Sequence, residues 1–579
     1  MTLKSKFGIS QSVNRIEDKR LLKGEGRYVD DICPKDAYFV SFLRSPIAHG
    51  KIIEVDVSEA LLLKEVVAIY TSKNLENKLL NSMSFSVIKN KNGEKAASPI
   101  RPILADKKVR FVGEAIAAVV ARTKKDSIDA IELINLNIKE LSPHMDLKTG
   151  GEDIHPEAYM NEAFSWEFGN RKKVNLAFKN ALHVVGLDLI DNRVCANPIE
   201  TRGCFAQMEG QRLHFCFSGQ GVWNMKKSLA RNLGIKKSDI RVTNPDIGGG
   251  FGMKSFDYPE YFIVAMAAKE LNKSVRWQAE RGESLLADNG ARDLVTNAEA
   301  AFDKNYKLLA LRIKSTSNLG AYNSSNGQLI QTELALKVLT GAYDVKNILF
   351  EVTGVFTNTS PVDAYRGAGR PEAIYILERL MDYSARVLNI NALELRRKNF
   401  ITPDRLPFKT ASGEIYDVGN FSKLLTSAEI KANINSFESR KRESLRNGKL
   451  RGIGLCYYIE AILGEHKETT TIEFTENGYF NLYVGTQSNG QGHETVFSQI
   501  LHQKTGIPFE KINIIQGDSD LIPRGGGTGG SRSVTMQGNS INSTSDILIR
   551  KLTKIAEKDL SALPGQIEFE DGYFLVSEN

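Results

Sequence analysis

Five cysteines in 579 residues, Cys33, Cys195, Cys204, Cys216 and Cys456, stand far apart, and no C-x-x-C pair occurs. That argues against a disulfide scaffold and against an iron–sulfur cluster on this chain, and it leaves buried free thiols as the reading. The eight histidines are isolated, so no His/Cys ligand set for a metal is legible. No apolar run has the length of a membrane span. The opening MTLKSKFGIS has no apolar run after its lysines, so no signal peptide is visible and a cytoplasmic protein is expected. Positive charge is in mild excess, +7, but is spread along the chain. Without a basic stripe, nucleic acid is not an expected partner. What remains is 41% hydrophobic and 25% charged residues. That is the composition of a soluble globular enzyme of roughly three or four domains, with a mild basicity that suits an anionic cofactor or partner.

Short strands and turns alternate over residues 1 to about 125, with a helical insert near Ser58–Leu63. Val109–Val120 reads as a turn at Gly113 leading into a buried strand, and a helix follows around Asp126–Leu133. Pro143–Pro156, with Gly150-Gly151 and several acids, reads as a linker. Lys431–Lys449 is polar and marks another boundary or a surface helix. A faint internal repeat is more informative. Gly219-Gln220-Gly221 precedes a helical run, Val222–Leu233, then Gly234-Ile235, a strand at Ile240–Val242, Asp246 and the glycine loop Gly248–Gly252. Gly490-Gln491-Gly492 precedes a run His493–Lys504, then Gly506-Ile507, a strand at Ile512–Ile515, Asp518 and a second glycine loop, Gly525–Gly530, at nearly the same offset. Two related halves would each bring a Gln turn and a glycine loop to one site.

The stretch GGGFGMKS, Gly248–Ser255, tests the phosphate-loop readings. Gly248, Lys254 and Ser255 fit G-x-x-x-x-G-K-[ST], but Met253 stands where the second glycine is required, and G-x-G-x-x-G fails at the same residue. Pro259 is expected to open a helix through Leu271, and Pro371 another through Leu388, directly after Tyr365-Arg-Gly-Ala-Gly-Arg370. Helix starts offer free N–H groups and partial positive charge, glycines let backbone approach closely, and Arg366 and Arg370 add planar charged donors. Together these loops suit a large anionic ligand gripped mainly by backbone.

These residues resemble a known family, the molybdenum-binding large subunits of xanthine dehydrogenases, aldehyde oxidases and carbon monoxide dehydrogenases. The resemblance runs from Phe7 to the last residue. RIEDKRLLKGEGRYVDDI (Arg15–Ile32), LRSPIAHGKI (Leu43–Ile52) and KVRFVGEAIAAVVA (Lys108–Ala121) resemble the α/β-hammerhead domain. NPIETRG (Asn197–Gly203), GGGFG (Gly248–Gly252), DAYRGAGRPEA (Asp363–Ala373), GQGHET (Gly490–Thr495) and GGTGGSRS (Gly526–Ser533) resemble the cofactor-binding region. The implied fold is α+β: an N-terminal arm (1–16), the α/β-hammerhead domain (17–125), a linker (126–160), a first molybdopterin-binding domain (161–425) and a second (426–579) that is incomplete at its C-terminus.

The implied cofactor is molybdenum on molybdopterin cytosine dinucleotide, with the metal held by the pterin dithiolene and by no protein ligand. Gln220 would hydrogen-bond an oxo ligand, with Gly221 beside it. Gly249, Gly250, Phe251 and Gly252 would line the metal end, and Arg366 would lie above the metal near substrate. Gln491, Gly492, Thr528, Gly529, Gly530, Ser531 and Ser533 would contact pterin, metal ligands or pyrophosphate, and His493 would stand behind them. The implied reaction is hydroxylation of an aldehyde or heteroaromatic carbon by water. Electrons would leave through a [2Fe-2S] small subunit and an FAD-binding medium subunit, in a dimer of heterotrimers.

The sequence also departs from the family. The general-base glutamate of a late Gly-Glu motif is expected beyond Asn579, since Gly113-Glu114 belongs to the hammerhead resemblance. The chain alone is therefore expected to be inactive and poorly soluble, its Tyr573–Val576 strand having nothing after it to pair or cover it. Copper-using members carry Cys where this chain has Gly367. Purine-oxidising members carry an acid at the position of Ser255 and an aromatic ring at that of Ala368. The competing readings are a P-loop nucleotide enzyme and a non-catalytic cofactor-binding or assembly fragment.

Overall fold

The strand expected after Gly113 runs Ala115–Ala121, and all of its residues are buried. In the computed structural model, which describes residues 11–577 except 77, 81, 84, 86 and 465, this strand lies inside a seven-stranded sheet. The order is Ile240–Thr243, Arg212–Phe217, Gly203–Glu209, Val275–Gln278, Tyr38–Arg44, Ala115–Ala121, Val66–Thr71. Its alternating faces are both covered. Ala117 and Val119 face the helix Lys124–Glu132; Ala118 and Val120 share a core with Phe42, Phe215 and the helix Pro259–Leu271. Pro259 opens that helix at its first position, and Pro259–Ala268 are all buried, as an all-round apolar helix requires. Tyr38–Arg44 pairs parallel with Val275–Gln278 and antiparallel with Ala115–Ala121. The expected hammerhead region therefore shares a sheet with the first cofactor-binding region. Regular structure also continues to Asn135–Glu140, which pairs with Gly50–Asp56, inside the stretch 126–160 expected as linker. Only alternate residues of that strand are shielded, so in sequence it looks like a polar connection.

A five-stranded sheet follows in the order Glu162–Gly169, Asn347–Phe356, Leu308–Gly320, Leu294–Phe302, His183–Asp191. It packs beneath the helices Arg370–Val387 and Ala392–Asn399. A third core joins the strands Thr470–Phe474, Phe480–Val484 and Ile512–Ile515 to the helices His493–Thr505 and Gly538–Asp559. The polar stretch near 431–449 holds an exposed helix, Phe437–Arg446.

The internal repeat is visible as topology. In one copy, a hairpin of Gly203–Glu209 and Arg212–Phe217 leads through the helix Trp223–Leu233 to Ile240–Thr243, parallel to the second hairpin strand. In the other, Thr470–Phe474 and Phe480–Val484 lead through His493–Thr505 to Ile512–Ile515, again parallel. Gly234 and Gly506 end the two helices in the left-handed conformation. The copies meet where Thr243 bridges Asp518, and Arg241 pairs with Asp518 at 2.7 Å. The two repeat aspartates are thereby structural: Asp246 accepts both Arg20 nitrogens, at 2.6 and 2.8 Å. Tyr573–Val576 pairs antiparallel with the preceding strand Ile567–Glu570 through a turn at Asp571-Gly572, as expected of that turn and strand. No helix among the described residues is long and apolar enough to cross a membrane.

Candidate cofactor-binding cleft

Gln220 sits between the strand Arg212–Phe217 and the helix Trp223–Leu233, where a turn aims it at both glycine loops. Its Oε1 accepts from Gly252 N at 2.8 Å, and its Nε2 donates to Thr528 O at 2.8 Å. Thr528 N donates back to Gln220 O at 2.7 Å. One amide therefore ties the two glycine loops together and keeps a second N–H of Nε2 for a ligand. The glycines here serve chain against chain. A Cβ on Gly221 would stand 2.7 Å from the Cα of Gly527, one on Gly250 2.7 Å from Gln220 Oε1, and one on Gly252 2.5 Å from Ala364 O. Gly249 lies behind Phe251 and Pro198 in the same way. Gly529 differs: a Cβ there would meet nothing within 4 Å. Its bare backbone faces open space.

Arg366 lines the same cleft as Gln220. Its N–H donates to Phe251 O at 2.8 Å. Arg292 donates to Tyr365 O and Arg366 O at 3.1 and 2.9 Å and lies 4.9 Å over the Tyr365 ring. Asp363, buried beneath the turn, accepts from Asn326 N and Ala364 N at 3.0 and 2.6 Å; burial lifts its carboxyl to about 6. With its main chain so held, the exposed Arg366 guanidinium carries no ion pair among the described residues. Arg370 departs from expectation. Although it borders the cleft, it donates to Gly367 O at 2.6 Å and pairs with Glu460 and Ala461 O, closing its own turn.

The second glycine loop leads into the helical segment beginning at Ser533. The amides of Gly529, Gly530 and Ser531 have no hydrogen bond within the described chain. Adjacent free amides ahead of a helix start form an anion cradle. Buried Arg532 braces it on Glu468 at 2.5 Å and on Gly527 O at 2.9 Å. Thr528 Oγ1 donates to Gln487 O at 2.5 Å and meets Ser533 Oγ at 2.9 Å. Ser531 Oγ lies 3.3 Å from Arg370. Gln491, Gly492 and His493 stand behind this loop rather than on the cleft wall. Gln491 Nε2 is 3.0 Å from His493 Nε2. Burial pulls His493 down to about 4, so it is neutral. Nearby, Gln487 Oε1 and Asn489 Oδ1 are buried without hydrogen-bond partners among the described residues.

These loops enclose a cavity of about 580 Å³ lined by Gln220, Phe251, Arg366, Thr528, Gly529 and their neighbours, a size suited to a cofactor. Among the described residues, no carboxylate and no cysteine borders it. Free amides, cationic walls and missing acids fit a pterin phosphate. The donor set does not fit nucleotide triphosphate on a P-loop. Lys254 is fully buried, with Nζ 2.9 Å from Glu200, and the helix begins only at Pro259. Glu114 lies elsewhere, accepting from Tyr322 Oη and Arg110 N at 2.7 and 2.6 Å.

Family models match in the same order as the fold. Residues 23–142 match the aldehyde oxidase and xanthine dehydrogenase a/b hammerhead domain, and residues 154–400 and 428–579 match molybdopterin cofactor-binding domains. The nicotine 6-hydroxylase large subunit of Paenarthrobacter nicotinovorans is 31% identical over 98% of this chain and 71% of its own length. The chain belongs to the molybdenum-binding large subunits of the xanthine dehydrogenase and carbon monoxide dehydrogenase family. The carbon monoxide dehydrogenase large chain of Hydrogenophaga pseudoflava is 30% identical over 97% of this chain and 73% of its own length. The structure of quinoline 2-oxidoreductase from Pseudomonas putida 86 superposes with a TM-score of 0.92 at 29% identity, over 99% of this chain and 74% of that one. The chain is thus a subunit of a molybdenum oxidoreductase, with a hammerhead domain ahead of its molybdopterin-binding domains.

Within this family fold, sequence reasoning had assigned no role to Glu200, Arg292 or Asp363. Glu200 and Asp363 stood inside quoted motifs. Arg292 carried no local signal, because its partners lie more than seventy positions away.

Proposed function

We propose that the cleft holds molybdenum on molybdopterin cytosine dinucleotide, and that the subunit serves hydroxylation of a small heteroaromatic carbon by water. The observation that carries this reading is the convergence of Gln220, the free Gly529 and Gly530 amides and the unpaired Arg366 on one cavity whose described lining holds no acid. When bound, the cofactor supplies the two-electron oxidation chemistry. The chain's own residues bind and orient it. The amides of Gly529–Ser531 would take an anionic group of it, the second Nε2–H of Gln220 would donate to one of its oxygens, and Phe251 would border it. Arg366 stabilises negative charge developing on substrate. No carboxylate among the described residues borders the cleft, so no general base is assigned among them.

Relatives named for nicotine and quinoline favour a heteroaromatic over an aldehyde. A copper site is disfavoured: Gly367 has φ +102° and a Cβ there would collide with the Pro371 ring, and soft thiolates, which Cu(I) prefers, are missing from the described wall. Partners are a [2Fe-2S] subunit and an FAD subunit in the cytoplasm, in a dimer of heterotrimers. One relative is named as a subunit of a dehydrogenase complex. The test is production with these partners in a host that makes the cofactor. Molybdenum and pterin are expected in equal amounts, with dye reduction by N-heteroaromatics unaffected by copper chelation. Tight ATP binding without pterin overturns the reading.

A further inference from the structure

The loop that carries Phe251 and Gly252 is held shut at its base by a buried ion pair. Lys254 Nζ lies 2.9 Å from Glu200 Oε2, with no Lys254 side-chain surface exposed. The same oxygen accepts from Gly248 N at 2.8 Å, and Glu200 N donates to Gly248 O at 3.2 Å. One carboxylate oxygen thus grips both ends of the loop. Between those ends the chain turns through left-handed conformations at Gly249, Phe251 and Gly252, with φ of 95°, 55° and 101°. For a bulky residue such as Phe251 that conformation is strained and persists only where the surroundings impose it. In this shape the loop hands two adjacent backbone groups to two other segments that line the cleft. Phe251 O accepts from Arg366 N, and Gly252 N donates to Gln220 Oε1, both at 2.8 Å.

We infer that Glu200 and Lys254 are positioning residues, and that by closing the Gly248–Lys254 loop they set where Gln220 and Arg366 stand relative to each other in the cleft. The inference rests on the roles proposed above for those two residues. A purely structural pair would be replaceable by apolar side chains at little cost. This one cannot be, because the same carboxylate oxygen also receives Gly248 N. Lys254, which a phosphate-loop reading would aim at a ligand, instead acts through backbone it never touches directly.

The test compares the complete, cofactor-loaded complex with two variants, Lys254→Met and the neutral pair Glu200→Gln/Lys254→Met. Four quantities are read: molybdenum and pterin per chain, kcat per bound molybdenum, KM, and the rate of chymotryptic cleavage after Phe251. Lys254→Met is expected to keep its cofactor and hold KM within about threefold, while losing about tenfold or more in kcat, as a small misplacement of reacting groups does. Cleavage at Phe251 should quicken by about tenfold as the loop opens locally. The neutral pair restores charge balance and keeps an oxygen for Gly248 N but loses the bond to position 254, so it should behave like the single variant. Parental turnover in the neutral pair overturns the inference, as does parental kcat together with parental cleavage in Lys254→Met. If Lys254→Met does not fold, the neutral pair decides alone. A parent complex without molybdenum or pterin overturns the cofactor reading instead, and the cleavage comparison still decides whether the pair holds the loop.

Discussion

Arg366 offers its guanidinium to the cleft while every neighbour within reach secures its backbone. Phe251 O takes its N–H, and Arg292 takes its carbonyl. A charged group fixed before the reaction stabilises developing charge without reorganising. Arg366→Met is therefore expected to lower turnover by about 10²-fold with molybdenum content intact; parental turnover at parental metal content would assign Arg366 to structure alone. At this scale the sequence was readable where function sits on short motifs. Gln220 and Arg366 announced themselves by their glycine neighbours. Arg370 misled for the same reason: adjacency to a glycine turn suggests a ligand-facing cation, whereas its guanidinium caps the turn that made it conspicuous. Arg292 was invisible because an arginine bonding two distant carbonyls leaves no local pattern.

Among loops and helices, the two glycine loops divide their labour, and two substitutions separate the parts. Gly527 has φ +67°, and a side chain there would collide with Gln220 O. Gly527→Ala should lower the thermal midpoint by the equivalent of about 1–3 kcal/mol. Gly529 has open space above it. Gly529→Ala should leave the midpoint near the parent's while reducing bound pterin, because the methyl group occupies the ligand's approach. Equal effects on both readouts in both variants would erase the distinction. Helices were the most legible elements. Pro259 and the glycines after Leu233 and Thr505 mark boundaries that the structure reproduces to within a residue or so, since capping is decided locally. The repeat was legible as spacing. That its copies bond to each other at Thr243 and Asp518 was not, because contact between distant segments is set by packing.

For the molecule as a whole, acid stability should follow two imidazoles that burial keeps neutral. His155 is drawn down to about 3 and His493 to about 4. The unfolded chain takes up these protons once the pH falls below about 6.5, and the folded chain does not. Stability is therefore full above that pH and declines as the pH drops toward 4, by about 3 kcal/mol at most for His493. His493→Gln should flatten the loss of the denaturation midpoint between about pH 7 and pH 5; an unchanged slope would remove His493 from the account.

Architecture was legible as a succession of regions, but the merging of the first two into one sheet was not. Strand alternation reports which face is buried and is silent about which strand lies alongside. That merging governs the order of events on the ribosome. Tyr38–Arg44 can pair early with Ala115–Ala121, but its other neighbour, Val275–Gln278, is made much later. At ordinary elongation rates the wait is roughly ten to fifty seconds. Through that interval the edge of Tyr38–Arg44 that Val275 and Arg276 later cover stays unpaired on the nascent chain, an opening that another chain's strand can fill before the finished fold closes it.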